Sequence, residues 1–305
     1  MRSKKYYNIY GYVPISIIQR MIIMIILTDS TAGIRGEELI SLGIKMIPLN
    51  VNFGEKTFQD SINLMPDEFY QMLETSKKFP TTSQPSPNSF LEIFEDAKEQ
   101  NEDLIYLAIS SGLSGTINSA RIAKDMAEYD RIFIVDTKES IQGLRLLVLH
   151  ACKLRDEGKT VEEIVNEIEH LKNHVHICSM INTLEYLYRG GRLSKAKAIA
   201  GNLLNLKPMV DLDLDGKIRM YGTSIGVSRA LISIMKKLKD APINVNYPVC
   251  FGYTYGQENM LKLIEKVKAE YHIENYDISQ VGPAIGSHIG IGGLCMMYIS
   301  DKERD

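Results

Sequence analysis

The chain has 305 residues, 45% of them hydrophobic and 24% charged, with a formal net charge of −3. This is the balance of a soluble globular protein long enough for a sizeable core and two domains. It leaves no basic footprint for nucleic acid and no polybasic patch for stable membrane association.

Residues 1–20 are basic and tyrosine-rich, and a short apolar run, Met21–Leu27, follows them. Lys4 and Lys5 could open a secretory signal, but Arg20 interrupts the apolar part and no small-residue cleavage site follows. The run is also too short to span a bilayer. It reads as the first buried strand, with Met21 or Met24 as the start and residues 1–20 as a poorly ordered extension.

Short apolar runs then alternate with longer amphipathic ones. The spacing predicts strands at Met24–Leu27, Lys45–Val51, Leu104–Ile109 and Ile132–Val135. Between them it predicts helices at Pro66–Ser76, Asn88–Glu99, Thr116–Tyr129 and Ile141–Glu157. Strands separated by helices make an α/β fold with a mainly parallel sheet flanked by helices. In such sheets ligands sit beyond the carboxyl ends of the strands. Polar residues gather there: Thr28-Asp29-Ser30, Ser110-Ser111 and Asp136-Thr137.

The most informative segment is Ser110-Ser111-Gly112-Leu113-Ser114-Gly115-Thr116, between the third strand and its helix. The first amides of a helix lack internal partners and face whatever occupies the loop. With hydroxyls at Ser111, Ser114 and Thr116, the loop reads as a cradle for a small anion. Thr81-Thr82-Ser83-Gln84-Pro85-Ser86-Pro87 is a second hydroxyl-rich loop, stiffened by two prolines, before a helix that Ser86 or Asn88 caps. Its bland alternative is a solvated linker.

Beyond residue 168 the pattern changes to an α/β (α+β) second domain, dividing the chain into 21–168 and 169–305. A capping box at Thr160 and Glu163 starts a helix to Lys172. A strand (His174–Met180), a helix (Thr183–Tyr188), a helix (Ala196–Leu206) and a hairpin (Met209–Leu214 and Lys217–Tyr221, turning at Asp215-Gly216) follow. The rest reads as a helix (Val227–Lys239), a strand (Val249–Tyr253), a helix (Gln257–Glu270) and strands at Ile273–Ser279 and Leu294–Ser300. Between the last two, residues 282–293 hold five glycines around His288, without the strand-then-helix context of a dinucleotide site. Arg189 and Arg192 flank two glycines on an expected exposed turn, read as helix capping or as a docking surface.

Cys152, Cys178, Cys250 and Cys295 lie far apart, without metal-ligand spacing, and read as buried apolar residues of a reducing cytoplasm. No metal or cofactor is expected. Ser114 followed by His288 admits a serine hydrolase, but the nucleophile elbow needs glycine where Thr116 stands.

Taken together, these residues resemble the DegV family, bacterial fatty-acid-binding proteins that include the FakB type. The matching stretches are Ile26–Thr31, Thr82-Ser83-Gln84-Pro85-Ser86, Ser110–Ala120, Val135-Asp136-Thr137, Tyr188–Ser194, Lys207-Pro208 and Gly282–His288. They run in the family's order over about residues 24–301. Gly290-Ile291-Gly292 departs from it, since the family usually has proline between those glycines. The resemblance implies a long-chain fatty acid, such as palmitate or oleate, in an apolar tunnel between two domains. It implies carboxylate contacts from Thr82 and Ser114, with His288 a third contact. Ser111, Thr116 and Thr28 are further candidates from the strand ends and the cradle. It also implies a carrier rather than an enzyme, one that presents the acid to a fatty acid kinase for acyl-phosphate formation, docking through Arg189 and Arg192.

Overall fold

The computed structural model describes residues 24–193 and 205–304. In chain order it contains β1 (Met24–Asp29), α1 (Glu37–Leu42), β2 (Ile44–Ile47), β3 (Asn50–Phe53), β4 (Lys56–Gln59), α2 (Pro66–Thr75), β5 (Thr81–Ser83), α3 (Pro87–Glu99), β6 (Asp103–Ala108), α4 (Thr116–Ala127) and β7 (Ile132–Asp136). Then come α5 (Ile141–Asp156), α6 (Val161–Leu171), β8 (Val175–Met180), α7 (Glu185–Arg189), β9 (Leu206–Leu212), β10 (Ile218–Ile225), α8 (Val227–Asp240), β11 (Val249–Tyr253), α9 (Glu258–Tyr271), β12 (Tyr276–Gln280), α10 (Pro283–Ile289) and β13 (Leu294–Ile299).

The first sheet is the expected parallel one, in the order β2-β1-β6-β7. Helices cover both its faces, which is why its strands read as unbroken apolar runs. Alternate side chains serve opposite faces. Ile26, Ile105 and Leu107 pack with α5 and α6, while Ile25, Leu27, Leu104 and Tyr106 pack with Phe90, Phe94 and Ala120 of α3 and α4. The second four-stranded sheet, β12-β11-β13-β8, is mixed, with only β11 and β12 parallel. Ile234 and Leu238 of α8 and Leu263 and Val267 of α9 cover one of its faces around Phe251 and Met296.

The helix α5 joins the two sheets. Every residue from Gln142 to Cys152 is buried, and its leucines share one core with Ile26 of the first sheet and Cys250 and Ile299 of the second. A helix buried all round carries little amphipathic signal.

Several sequence expectations need correction. Lys45–Val51 is not one strand. Pro48-Leu49 breaks it into β2 and β3, which belong to different sheets, and proline cannot donate to a ladder. β3 turns through Gly54 into β4, and Thr81–Ser83, read as loop, is the third strand of this antiparallel sheet, with Val51 opposite Thr82. Ser86, not Asn88, caps α3, accepting from the Ser89 amide at 3.2 Å. α4 stops at Ala127 because Glu128 takes a left-handed φ of 48°. The glycine-rich segment follows a strand and opens as a helix after all, β12 then α10 with Pro283 at its first position. Gly286 lets that helix approach: an added Cβ would lie 2.6 Å from Tyr70 Oη and 2.7 Å from Phe69. The capping box is present as expected, and the hairpin turns at Asp215-Gly216 with Gly216 at φ 71°. Residues 1–20 and all of the Ala196–Leu206 helix but its last two residues lie outside the described residues; Leu206 opens β9.

Candidate functional site

The cradle loop is fixed from below by a buried acid. Asp29, at the end of β1, accepts from the Ile109 amide at 2.8 Å, from Tyr106 Oη at 3.1 Å and from the amide and hydroxyl of Thr31. Burial still pushes its carboxyl above the ordinary range. The Ser110 amide donates to Glu139 O at 2.8 Å, and its hydroxyl donates to Gly216 O at 2.8 Å. The hairpin turn therefore rests on the cradle. Gly112 permits this, since a Cβ there would sit 2.7 Å from Asp215 O.

Above this foundation, Ser114 Oγ lies 2.8 Å from Thr116 Oγ1 and accepts the Thr116 amide at 3.3 Å. That amide is thus satisfied within the chain. β5 brings a second hydroxyl: Thr82 Oγ1 lies 2.8 Å from Nε2 of His288, on α10. Gln84, two residues on, donates to Ser119 Oγ at 2.8 Å, and its Oε1 occupies the space where a Cβ on Gly115 would lie. Gln84 thereby clamps the Thr82 segment to the cradle. Sequence reasoning quoted Gln84 in its motif but gave it no role.

His288 Nδ1 is enclosed against Gly190 with no partner among the described residues. The tautomer protonated at Nε2 leaves only a lone pair unpaired there. It donates to Thr82 Oγ1 and frees the Thr82 proton for a ligand. Burial first, and then the charge of Arg192, hold the ring down to about 4, so it is neutral at pH 7.

Arg192 turns inward. Its Nε donates to Leu113 O at 2.9 Å and its Nη1 to Gly190 O at 2.5 Å, and no carboxylate pairs with it among the described residues. Arg189, by contrast, is exposed; it pairs with Glu185 at 2.8 Å and lies over the Phe79 ring, 4.1 Å from its centroid.

Thr82, Ser114, His288 and Arg192 all line one cavity of about 860 Å³, counted out to its mouth. Apart from these groups its wall is mostly apolar, with Ile109, Leu113, Leu187, Val210, Leu212 and Met297 among its residues. Leu113, Ser114, Arg192 and Ile218 also line an open surface cup with Ser111 and Lys217. Ser114 and Arg192 therefore stand between the apolar interior and the open cup.

The remaining candidates lie elsewhere. Ser111 is in the cup, its hydroxyl accepting from Lys138 at 3.1 Å. Thr116 is buried behind Ser114, and Thr28 is buried in the sheet, donating to Leu107 O at 3.1 Å. None of these three lines the cavity. Burial pushes the Cys295 thiol, in the cavity wall, to about 12. No cluster of three or more metal-ligating side chains occurs among the described residues, and no described helix is long and apolar enough to cross a membrane.

The His288 environment sets a pH dependence. Its folded value of about 4 lies below the ordinary 6.5, so the unfolded chain binds the proton more readily between them. The ring's contribution is fully present above pH 6.5 and is lost as pH falls through 4. In denaturant unfolding from pH 7 to pH 4, the protein should lose about 3 kcal/mol more than a His288→Gln variant. Parallel profiles would show that His288 does not carry this loss.

The sequence model of the DegV family matches residues 24–301. A DegV domain-containing protein of Caldanaerobacter subterraneus is 33% identical over 87% of this chain and 94% of its own. Protein DegV of Bacillus subtilis is 33% identical over 90% and 98%. Among solved structures, a DegV family protein from Thermus thermophilus, described by its fatty acid binding, superposes with a TM-score of 0.82 at 31% identity, covering 91% of this chain and 99% of that one. DegV of Bacillus subtilis, described as a fatty acid binding protein, gives 0.79 at 31% identity over 91% and 99%. The Fatty Acid Kinase (Fak) B3 protein of Streptococcus pneumoniae, loaded with linoleic acid, shares the fold with a TM-score of 0.81 at 21% identity over 91% and 99%.

Proposed function

The chain belongs to the DegV family, and on that premise we propose that it binds a long-chain fatty acid such as palmitate or oleate. The carboxylate is held by Thr82 and Ser114, and the tail lies in the apolar cavity. The observation that carries this reading is that these two hydroxyls, with neutral His288 and cationic Arg192, line one cavity whose wall is otherwise mostly apolar. Each charge-assisted contact to a carboxylate contributes about 1.5–3 kcal/mol. Each buried methylene contributes about 0.8 kcal/mol, so the tail supplies most of the affinity and the head group sets orientation.

The protein acts as a carrier. Ser114 is bonded to Thr116 and His288 to Thr82, so the two do not form the hydrogen-bonded pair a serine hydrolase needs. The head group also borders the open cup, which supports presentation of the acid to a separate kinase that makes the acyl phosphate.

Organic extraction of the purified protein, followed by mass spectrometry, should recover a long-chain acid. No recovered acid, together with no binding of added palmitate or oleate, would sink the reading. For docking, exposed Arg189 is the arginine to test. Arg189→Glu should leave palmitate affinity within about twofold, as expected of a surface charge, and lower acyl-phosphate formation with the cognate kinase. Unchanged acyl-phosphate formation places the docking surface elsewhere.

A further inference from the structure

We propose that the acyl cavity contains a second polar subsite, at Ser140, that takes the hydroxyl of a hydroxylated acyl chain. This rests on reading the cavity as a fatty-acid site.

Ser140 lines the cavity and is only 6% exposed. It stands at the N-cap of α5, a 16-residue helix, where a serine hydroxyl ordinarily accepts an amide of the first turn. Here it caps nothing, and it bonds to no other group among the described residues. The next residue shows how the turn is built. Ile141 has a φ of 47°, a left-handed conformation that a β-branched residue rarely adopts. Ile141 also lines the cavity. A strained residue in a cavity wall, next to an unsatisfied hydroxyl, is an arrangement found where a ligand completes the site.

The hydroxyl has no partner among the described residues, and the cavity wall offers it chiefly Ile141, Ile177, Leu212 and Met297. The cavity wall also holds a charged acceptor. Asp211 lines the same cavity at 4% exposure, held by Arg219 at 2.9 Å and Lys237 at 2.6 Å. A ligand oxygen between Ser140 and Asp211 would accept from the serine and donate to the carboxylate. A hydroxyl does both, whereas an unsubstituted chain does neither.

The test uses the delipidated full-length protein and Ser140→Ala, with stearate and a series of hydroxystearates carrying the hydroxyl at successive positions. Because Ser140 bonds nothing within the chain, the variant should keep the wild-type unfolding midpoint. At least one positional isomer should bind Ser140→Ala about fivefold more weakly than wild type, the effect of one hydrogen bond, while stearate affinity stays the same or rises. If every isomer binds the two proteins alike, there is no such subsite. Failure of stearate itself to bind wild type would overturn the fatty-acid reading, and the subsite with it.

Discussion

Thr82→Ala combined with Ser114→Ala should weaken palmitate binding by roughly 10²–10⁴-fold, the largest effect expected from any pair of substitutions at this site. The estimate follows from removing two charge-assisted contacts of about 1.5–3 kcal/mol each, at about 1.4 kcal/mol per factor of ten. Neither side chain belongs to a core cluster, so circular dichroism and the unfolding midpoint should stay close to wild type. A calorimetric titration of delipidated protein checks this, and an affinity within threefold of wild type would overturn the head-group assignment. Shortening the chain is the complementary measurement. Each methylene removed should cost the double variant and the wild type the same increment, because the tail contacts are untouched.

Gly190→Ala should also lower palmitate affinity, by tenfold or more, although Gly190 carries no polar side chain. Its φ of −75° is one that alanine adopts freely, so the effect is steric. An added Cβ would lie 2.1 Å from His288 Nδ1 and 3.1 Å from Tyr186 O. The imidazole has to yield, and its 2.8 Å bond to Thr82 has to break. On a His288→Ala background the same substitution should cost little more, since the ring it displaces is gone. Gly222→Ala, where an added Cβ meets nothing within 4 Å, is the matched control. Wild-type affinity in Gly190→Ala would show that the Thr82–His288 bond contributes nothing to the head-group site.

Much of the architecture was legible from local patterns. The runs at Met24–Leu27 and Leu104–Ile109 are strands buried on both faces, and the Thr160/Glu163 box begins its helix as expected. Where the reading failed, a local signal was outweighed. Thr81–Ser83 carries three polar residues and has Pro80, Pro85 and Pro87 nearby, yet it is a strand because β3 offers it an open edge. Arg192 and Arg189 looked equivalent on either side of two glycines, but Leu113 O and Gly190 O draw one inward while Glu185 and Phe79 hold the other at the surface.

The amino-acid sequence by itself determined the cradle. A strand, small polar residues at its carboxyl end and glycines before a helix are consequences of backbone sterics and of burial at period two, and these act over a few residues. Only the tertiary structure decided what faces the cradle. Thr82 and His288, 206 residues apart, meet because an edge strand and a short helix pack side by side. The same packing leaves the Ser140 hydroxyl unpaired in the cavity wall. Encounters of this kind depend on how sheets and helices stack. No spacing along the chain records them.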